Sequence, residues 1–338
     1  MNDPVLSRLG WDSRLSRLFA PHERAGLVPG RVVQSSRERV RVATASGERA
    51  AFAGAALVNE RGRPAPGDWV ALDGERVAAV LERTSALVRR DPGRPVAQVL
   101  AANVDLVLVV AALDPAVNLR RLERTLAVAW DSGAVAAVVL TKPDRCPDLA
   151  EQVALVRSAA PGADVFVVNG LTGEGTAAVA AALSGDATGG GVAVRTAVLV
   201  GPSGAGKSTL TNWLAGSEVA ATGDVRDGDR KGRHTTSDRH MLVLDNGGVI
   251  IDTPGLRALA VWEVDQGVAA AFADIDELAA GCRFRDCRHA AEPGCAVVGQ
   301  VDEDRLRNWR HLSAGVDPAE ARRRARILGK SYRRHFKN

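Results

Sequence analysis

The chain is 338 residues long, with 46% hydrophobic and 25% charged residues. That mix excludes a disordered tail protein or a fibre, and the length suits two or three domains of about 100–200 residues. The net charge of +4 is uneven: Asp317 to Asn338 carry a net +6, so the rest of the chain sums to −2. Such a split predicts one basic surface for a polyanion. The longest apolar run, Leu106 to Leu113, is eight residues. A spanning helix needs about 20, so no membrane partner is expected. Asp3, Arg8, Asp12, Arg14 and Arg17 interrupt the N-terminus, unlike a secretory signal. Three cysteines cluster (Cys282, Cys287, Cys295) and Cys146 stands apart. An odd cluster makes a poor disulfide framework, and the expectation is a cytoplasmic protein with reduced thiols.

In chain order, residues 1–24 hold Leu9, Trp11, Leu15, Leu18 and Phe19, the apolar stripe of one small helix or turn. Arg31–Val33, Arg39–Ala43, Arg49–Phe52, Asp68–Leu72 and Val77–Leu81 then read as five short strands between glycines. That spacing predicts a small barrel, an OB-fold ahead of an SH3-like one. Beyond Pro95 strands and helices alternate. Strands are predicted at Val104–Ala111, Ala134–Leu140, Asp164–Val168 and Ala193–Val200, and helices at Leu119–Trp130 and Asp148–Ser158. A helix ending at Leu183 follows Gly170–Gly175, Thr188–Gly191 reads as a flexible link, and Met241–Leu244 and Val249–Asp252 add two strands. Such alternation predicts a parallel α/β sheet with helices on both faces. After Trp262 the chain reads as helical around its Cys/His cluster.

Gly201-Pro202-Ser203-Gly204-Ala205-Gly206-Lys207-Ser208 matches G-x-x-x-x-G-K-[ST], with a strand before it and a helix from Thr209 after it. Backbone N–H groups of such a loop wrap a β-phosphate, and the helix N-terminus adds positive potential. Lys207 is expected to reach the β- and γ-phosphates, and Ser208 to ligate Mg²⁺. Asp252-Thr253-Pro254-Gly255 follows an apolar strand. Asp252 suits the Mg²⁺ side and the Gly255 N–H a γ-phosphate. Thr141-Lys142-Pro143-Asp144 names the base. A carboxylate at Asp144 accepts from N1–H and N2 of guanine, donors that adenine lacks, and the Lys142 stem covers the base face.

These motifs resemble those of a GTPase, but the base-reading tetrapeptide comes first instead of last. The shuffled order, the barrel and the Cys/His cluster resemble the ribosome small-subunit-dependent GTPase A (RsgA) family. Gln98–Asp105, Gly232-Arg233-His234-Thr235-Thr236 and Glu292–Cys295 match further. The resemblance implies a circularly permuted P-loop GTPase domain (93–262), preceded by an N-terminal extension (1–24) and an OB-like barrel (25–92). A helical zinc-binding domain with a basic tail (263–338) follows. It also implies that Gly232–Thr236 is switch I, where Thr235 or Thr236 adds a hydroxyl to Mg²⁺. Asn169-Gly170-Leu171-Thr172-Gly173 takes the place of a second base-contacting loop, usually Ser-Ala. Leu256 stands where many GTPases orient water with Gln. The catalytic candidates are therefore His234, Thr235 and Lys207, with stimulation by a partner.

Cys282, Cys287, His289 and Cys295 offer three thiolates and one imidazole within 14 residues, a closed set suited to one structural Zn²⁺. Arg322, Arg326, Lys330 and Arg334 recur every fourth residue near the end, a helix face suited to phosphates. The combined expectation is a monomeric GTP hydrolase acting in late maturation of the small ribosomal subunit. It binds GTP or GDP and rRNA, and hydrolysis is linked to release. Two alternatives are a kinase-like P-loop phosphotransferase and an RNA-binding module with a vestigial nucleotide site.

Overall fold

The computed structural model describes residues 3–36, 39–89, 98–114, 116–184, 186–187, 191–192, 194–220, 239–245, 247–252, 271–284, 286–290 and 292–313. Predictions for Gly232–Thr236, Thr253–Gly255, Leu256 and the basic tail lie outside these residues.

Two helices open the chain where one was expected: α1 (Pro4–Arg8) and α2 (Ser13–Arg24). Each starts on an aspartate. Asp3 accepts from Val5 N at 2.9 Å, and Asp12 from Leu15 N at 2.7 Å, as N-caps do. Leu6, Leu9, Trp11, Leu15 and Phe19 pack on Val33, Trp69, Ala71 and Leu81. The extension is thereby a lid on the barrel.

The barrel strands are β1 (Val28–Ser35), β2 (Val40–Thr44), β3 (Gly47–Ala53), β4 (Trp69–Asp73) and β5 (Arg76–Val80). Their order is β1-β2-β3-β5-β4, closed by a β1–β4 pairing, with β3 and β5 parallel. A helix between the third and fourth strands, α3 (Ala55–Arg61), was not anticipated. This is the OB-like closure that the strand spacing predicted. A hairpin of β6 (Ala86–Arg89) and β7 (Gln98–Ala102) follows it.

The next elements are β8 (Leu106–Ala112), α4 (Leu119–Asp131), β9 (Val135–Thr141), α5 (Leu149–Ala159), β10 (Asp164–Val168) and α6 (Thr176–Ser184). Two-residue strands β11 (Asp186–Ala187) and β12 (Gly191–Val192) precede β13 (Thr196–Val200), α7 (Lys207–Ala215), β14 (Arg239–Val243) and β15 (Val249–Asp252). Strands β10-β9-β8-β13-β15 are parallel neighbours, and β14 runs antiparallel at the end. Their continuous Val/Ile/Leu runs fit a sheet buried on both faces. One face carries Val107, Val109, Leu126 and Trp130, and the other Leu108, Val139, Leu210 and Leu214. Each such fully buried aliphatic side chain is worth about 1.5–3 kcal/mol.

Strand β1 also pairs with β14, at Gln34 with His240 and Ser35 with Arg239. Barrel and α/β sheet therefore share one hydrogen-bonded array. Helices α8 (Ala273–Ala279) and α9 (Glu303–Ser313) frame the Cys/His turns. Arg305 of α9 donates to Glu123 of α4, to both Asp274 oxygens at 3.0 and 2.7 Å, and lies 4.7 Å over the Phe272 ring. Asn308 donates to the other Glu123 oxygen at 2.6 Å. This buried knot fastens the C-terminal region to the sheet.

Candidate functional site

The parallel strands end together on one edge, where open α/β sheets bind ligands. Residues 201–206 link β13 to α7, and Lys207 and Ser208 open the helix. Gly201 must be glycine, because a Cβ there would sit 2.2 Å from the Val110 carbonyl oxygen. Gly206 caps α7 at φ +88, a left-handed turn that glycine adopts without a Cβ penalty. Lys207 Nζ donates to the carbonyls of Gly201 and Pro202 at 2.9 and 2.6 Å. Its ammonium thus lies over the loop that a phosphate would enter. Thr209 follows on the first turn of α7.

The tetrapeptide Thr141–Asp144, expected to read the base, leaves β9 beside this loop. The Thr141 hydroxyl, 4% exposed, donates to the Ala205 carbonyl at 2.7 Å. Lys142 is left-handed, with φ 58, and turns the chain into a 3₁₀ turn, Pro143–Arg145. Asp144 is exposed on that turn, and Arg145 pairs with Asp114 at 3.0 Å. A cleft of about 270 Å³ is lined by Lys142, Asp114, Arg121 and residues 201–205. Asp252 ends β15, whose Ile251 pairs with Val198 of β13. The second predicted loop leaves β10 level with the first, since Val168 pairs with Thr141. The Asn169 carboxamide accepts from Leu171 N at 2.9 Å, so its oxygen shapes the loop.

The structure therefore brings Thr141–Asp144, Asn169–Gly173, 201–209 and Asp252 to one sheet edge. His234, Thr235, Thr236 and Gly255 lie outside the described residues. The sequence reading missed the Thr141 tether. A hydroxyl at the end of a buried strand, next to a Lys-Pro-Asp turn, was the available signal.

The ligand atoms of Cys282, Cys287, His289 and Cys295 lie within 4.8 Å of one another. His289 Nδ1 is 3.6 Å from Cys282 Sγ and 3.4 Å from Cys295 Sγ. A tetrahedral metal with usual bond lengths has S···N edges of about 3.6 Å. The donor set thus fits a structural metal. His289 is fully buried, takes φ 55, and its ring packs against Trp309, with centroids 5.0 Å apart and planes tilted by 46°. That strained turn aims the imidazole at the sulfurs.

A family model described as RsgA GTPase matches residues 80–262. "Small ribosomal subunit biogenesis GTPase RsgA" of Streptomyces coelicolor is 44% identical, over 98% of this chain and 93% of the relative. "Small ribosomal subunit biogenesis GTPase RsgA 2" of Lactiplantibacillus plantarum is 38% identical, over 85% and 83%. The chain belongs to the RsgA GTPase family. It is a GTPase, and Thr141–Asp144 precede Gly201–Ser208 in the chain, the order of a circularly permuted GTPase. A crystal structure of YjeQ from Thermotoga maritima shares the fold, with TM-score 0.62 and 23% identity over 87% of this chain and 98% of that one. So does YloQ, described as a circularly permuted GTPase, with TM-score 0.58 and 20% identity over 88% and 96%. Among the described residues, no helix is long and apolar enough to cross a membrane.

Proposed function

We propose that this GTPase binds the small ribosomal subunit and acts in its late maturation, with hydrolysis stimulated by the subunit and coupled to release. The hydrogen bond from Thr141 to Ala205 carries the nucleotide half of this reading, because it locks the base-reading turn to the phosphate loop. The names of its relatives support the ribosomal half.

In this reading Gly201–Gly206 and Thr209 cradle phosphates, and Lys207 neutralises the β- and γ-phosphates. Ser208 and Asp252 hold Mg²⁺, joined by Thr235 or Thr236, and Gly255 contacts the γ-phosphate. Asp144 accepts from guanine while Lys142 and Pro143 pack on the base. With Leu at position 256, His234 is the group that orients water. When bound, Mg²⁺ draws charge from the β- and γ-phosphate oxygens. Zn²⁺ is the metal proposed for the Cys/His cluster, since three thiolates and one imidazole form a closed tetrahedral set. The barrel and the basic tail are proposed rRNA surfaces of a cytoplasmic, monomeric protein. Divisions at 25–92, 93–262 and 263–338 are the proposed units.

GTP turnover with and without purified small subunits, with ATP as control, tests the reading. Strong stimulation by subunits and no ATP hydrolysis are expected. Equal use of ATP, or normal turnover by Lys207→Ala, would remove it.

A further inference from the structure

We propose that Trp213 is a positioning residue for guanine. Its indole clamps the Asn169–Gly173 loop so that the Gly170 N–H reads the exocyclic oxygen of the base. This rests on the guanine reading above.

The loop sits one strand over from Asp144, at the same level of the sheet. Helix α7, which begins at the phosphate loop, holds it at two points one turn apart. A Cβ on Gly170 would lie 3.1 Å from Thr209 Cγ2, so the loop backbone rests on that side chain. Four residues on, Trp213 Nε1–H donates to the Gly170 carbonyl at 2.9 Å. Residues four apart share a helix face, so one face carries both contacts. A Cβ on Gly173 would stand 2.6 Å from the Trp213 ring, so the ring also covers the far end of the loop.

Trp213 is 44% exposed and Leu171 is 81% exposed. The clamp is therefore a surface device, outside the core clusters on either face of the sheet. The loop's own N–H groups are largely committed. Asn169 donates to the Glu174 carbonyl, Leu171 and Thr172 to the Asn169 carboxamide, Gly173 to the Asn169 carbonyl, and Glu174 to the Thr172 hydroxyl. Among the described residues, the Gly170 N–H has no acceptor. It flanks the peptide whose carbonyl Trp213 holds. A fixed N–H suits guanine, which presents an oxygen where adenine presents an amino group. Holding the loop in advance lowers the ordering cost of binding.

The test is equilibrium binding of GDP and of 2-aminopurine riboside diphosphate, which lacks the exocyclic oxygen. Trp213→Phe keeps an aromatic side chain but removes the N–H together with the outer indole edge that covers Gly173. GDP binding is expected to weaken about fivefold, the worth of one neutral hydrogen bond, with the analogue's affinity little changed. Gly173→Ala puts a methyl against the ring and a side chain at φ +78, both of which displace the loop, and is expected to give the same pattern with Trp213 present. Equal weakening of both ligands would mark Trp213 as merely structural, and unchanged GDP binding would remove its role. Asp144→Asn separates the two readings. If it leaves guanine preference intact, the base assignment itself fails. If it lowers that preference while Trp213→Phe and Gly173→Ala do nothing, only the Trp213 inference fails.

Discussion

The hydroxyl of Thr141 and the carbonyl of Ala205 are 64 residues apart in sequence and 2.7 Å apart in space. This bond joins the turn proposed to read the base to the loop proposed to hold the phosphates. Valine at position 141 keeps the shape, removes the donor and leaves the Ala205 carbonyl without it. Losing one partner at a buried site costs about 1–3 kcal/mol, and each 1.4 kcal/mol is about tenfold in affinity. Thr141→Val is expected to weaken GDP binding about tenfold in a titration, and Thr141→Ser to retain most of it. Wild-type affinity in the valine variant would show that the tether is idle.

Arg31 is the corresponding fastener between barrel and sheet. It is 2% exposed and donates to the carbonyls of Leu9, Gly67 and Asn103 and to the Thr196 hydroxyl. Its guanidinium lies 5.3 Å over the Trp69 ring. Burial lowers its pKa to about 10, against the pull of Asp105 and Asp68. It is therefore charged at neutral pH. Arg31→Met strands those acceptors and is expected to cost about 3 kcal/mol, seen as a lower melting temperature. Arg31→Lys should rescue little, because an ammonium cannot reach the same fan of acceptors. A lysine variant melting with the wild type would contradict this.

What the sequence revealed follows from how local each signal is. The proposed phosphate loop, the Lys-Pro-Asp turn and the four metal-type ligands each lie within a short stretch, so the proximity of each set was legible. Barrel strands were legible from alternation between glycines. Helix α3 was not, since Gly54, Gly62, Pro64 and Pro66 around it read as loop punctuation. The caps Asp3 and Asp12 marked two helix starts, but the apolar stripe of Leu9 to Phe19 suggested one. The bonds of Arg31 to Thr196 and of Arg305 to Glu123 span 165 and 182 residues. No periodicity encodes such contacts, because they depend on how finished elements pack.

Glu123 supplies a pH-dependent test. Burial raises its pKa above the ordinary 4.5, although Asn308 and Arg305 pull it down. With a raised value, the folded state holds the proton more tightly than the unfolded state. The contribution of Glu123 is therefore largest in acid and declines as pH rises from 4.5 through the raised value. Glu123→Gln should gain on wild type across that window in denaturant titrations. Glu123→Ala removes one of the two carboxylates that Arg305 pairs with among the described residues, the other being Asp274, and is expected to cost about 3–5 kcal/mol. A Glu123→Gln difference that is flat with pH would refute the shift.

Zinc at the Cys/His cluster would hold together a region with little core of its own. Cys287 and His289 are buried there, and Trp309 packs at a tilt against the imidazole. Structural zinc contributes about 10–16 kcal/mol in small domains. Elemental analysis is expected to find one zinc per chain, with Cys287→Ser lowering that content. Chelation should loosen α8 and α9 and change the fluorescence of Trp309, which a Trp309→Phe control identifies. GDP binding should persist, since the proposed phosphate and base loops belong to the sheet. A chain purified without zinc that shows the same Trp309 signal and the same melting curve would exclude a structural metal.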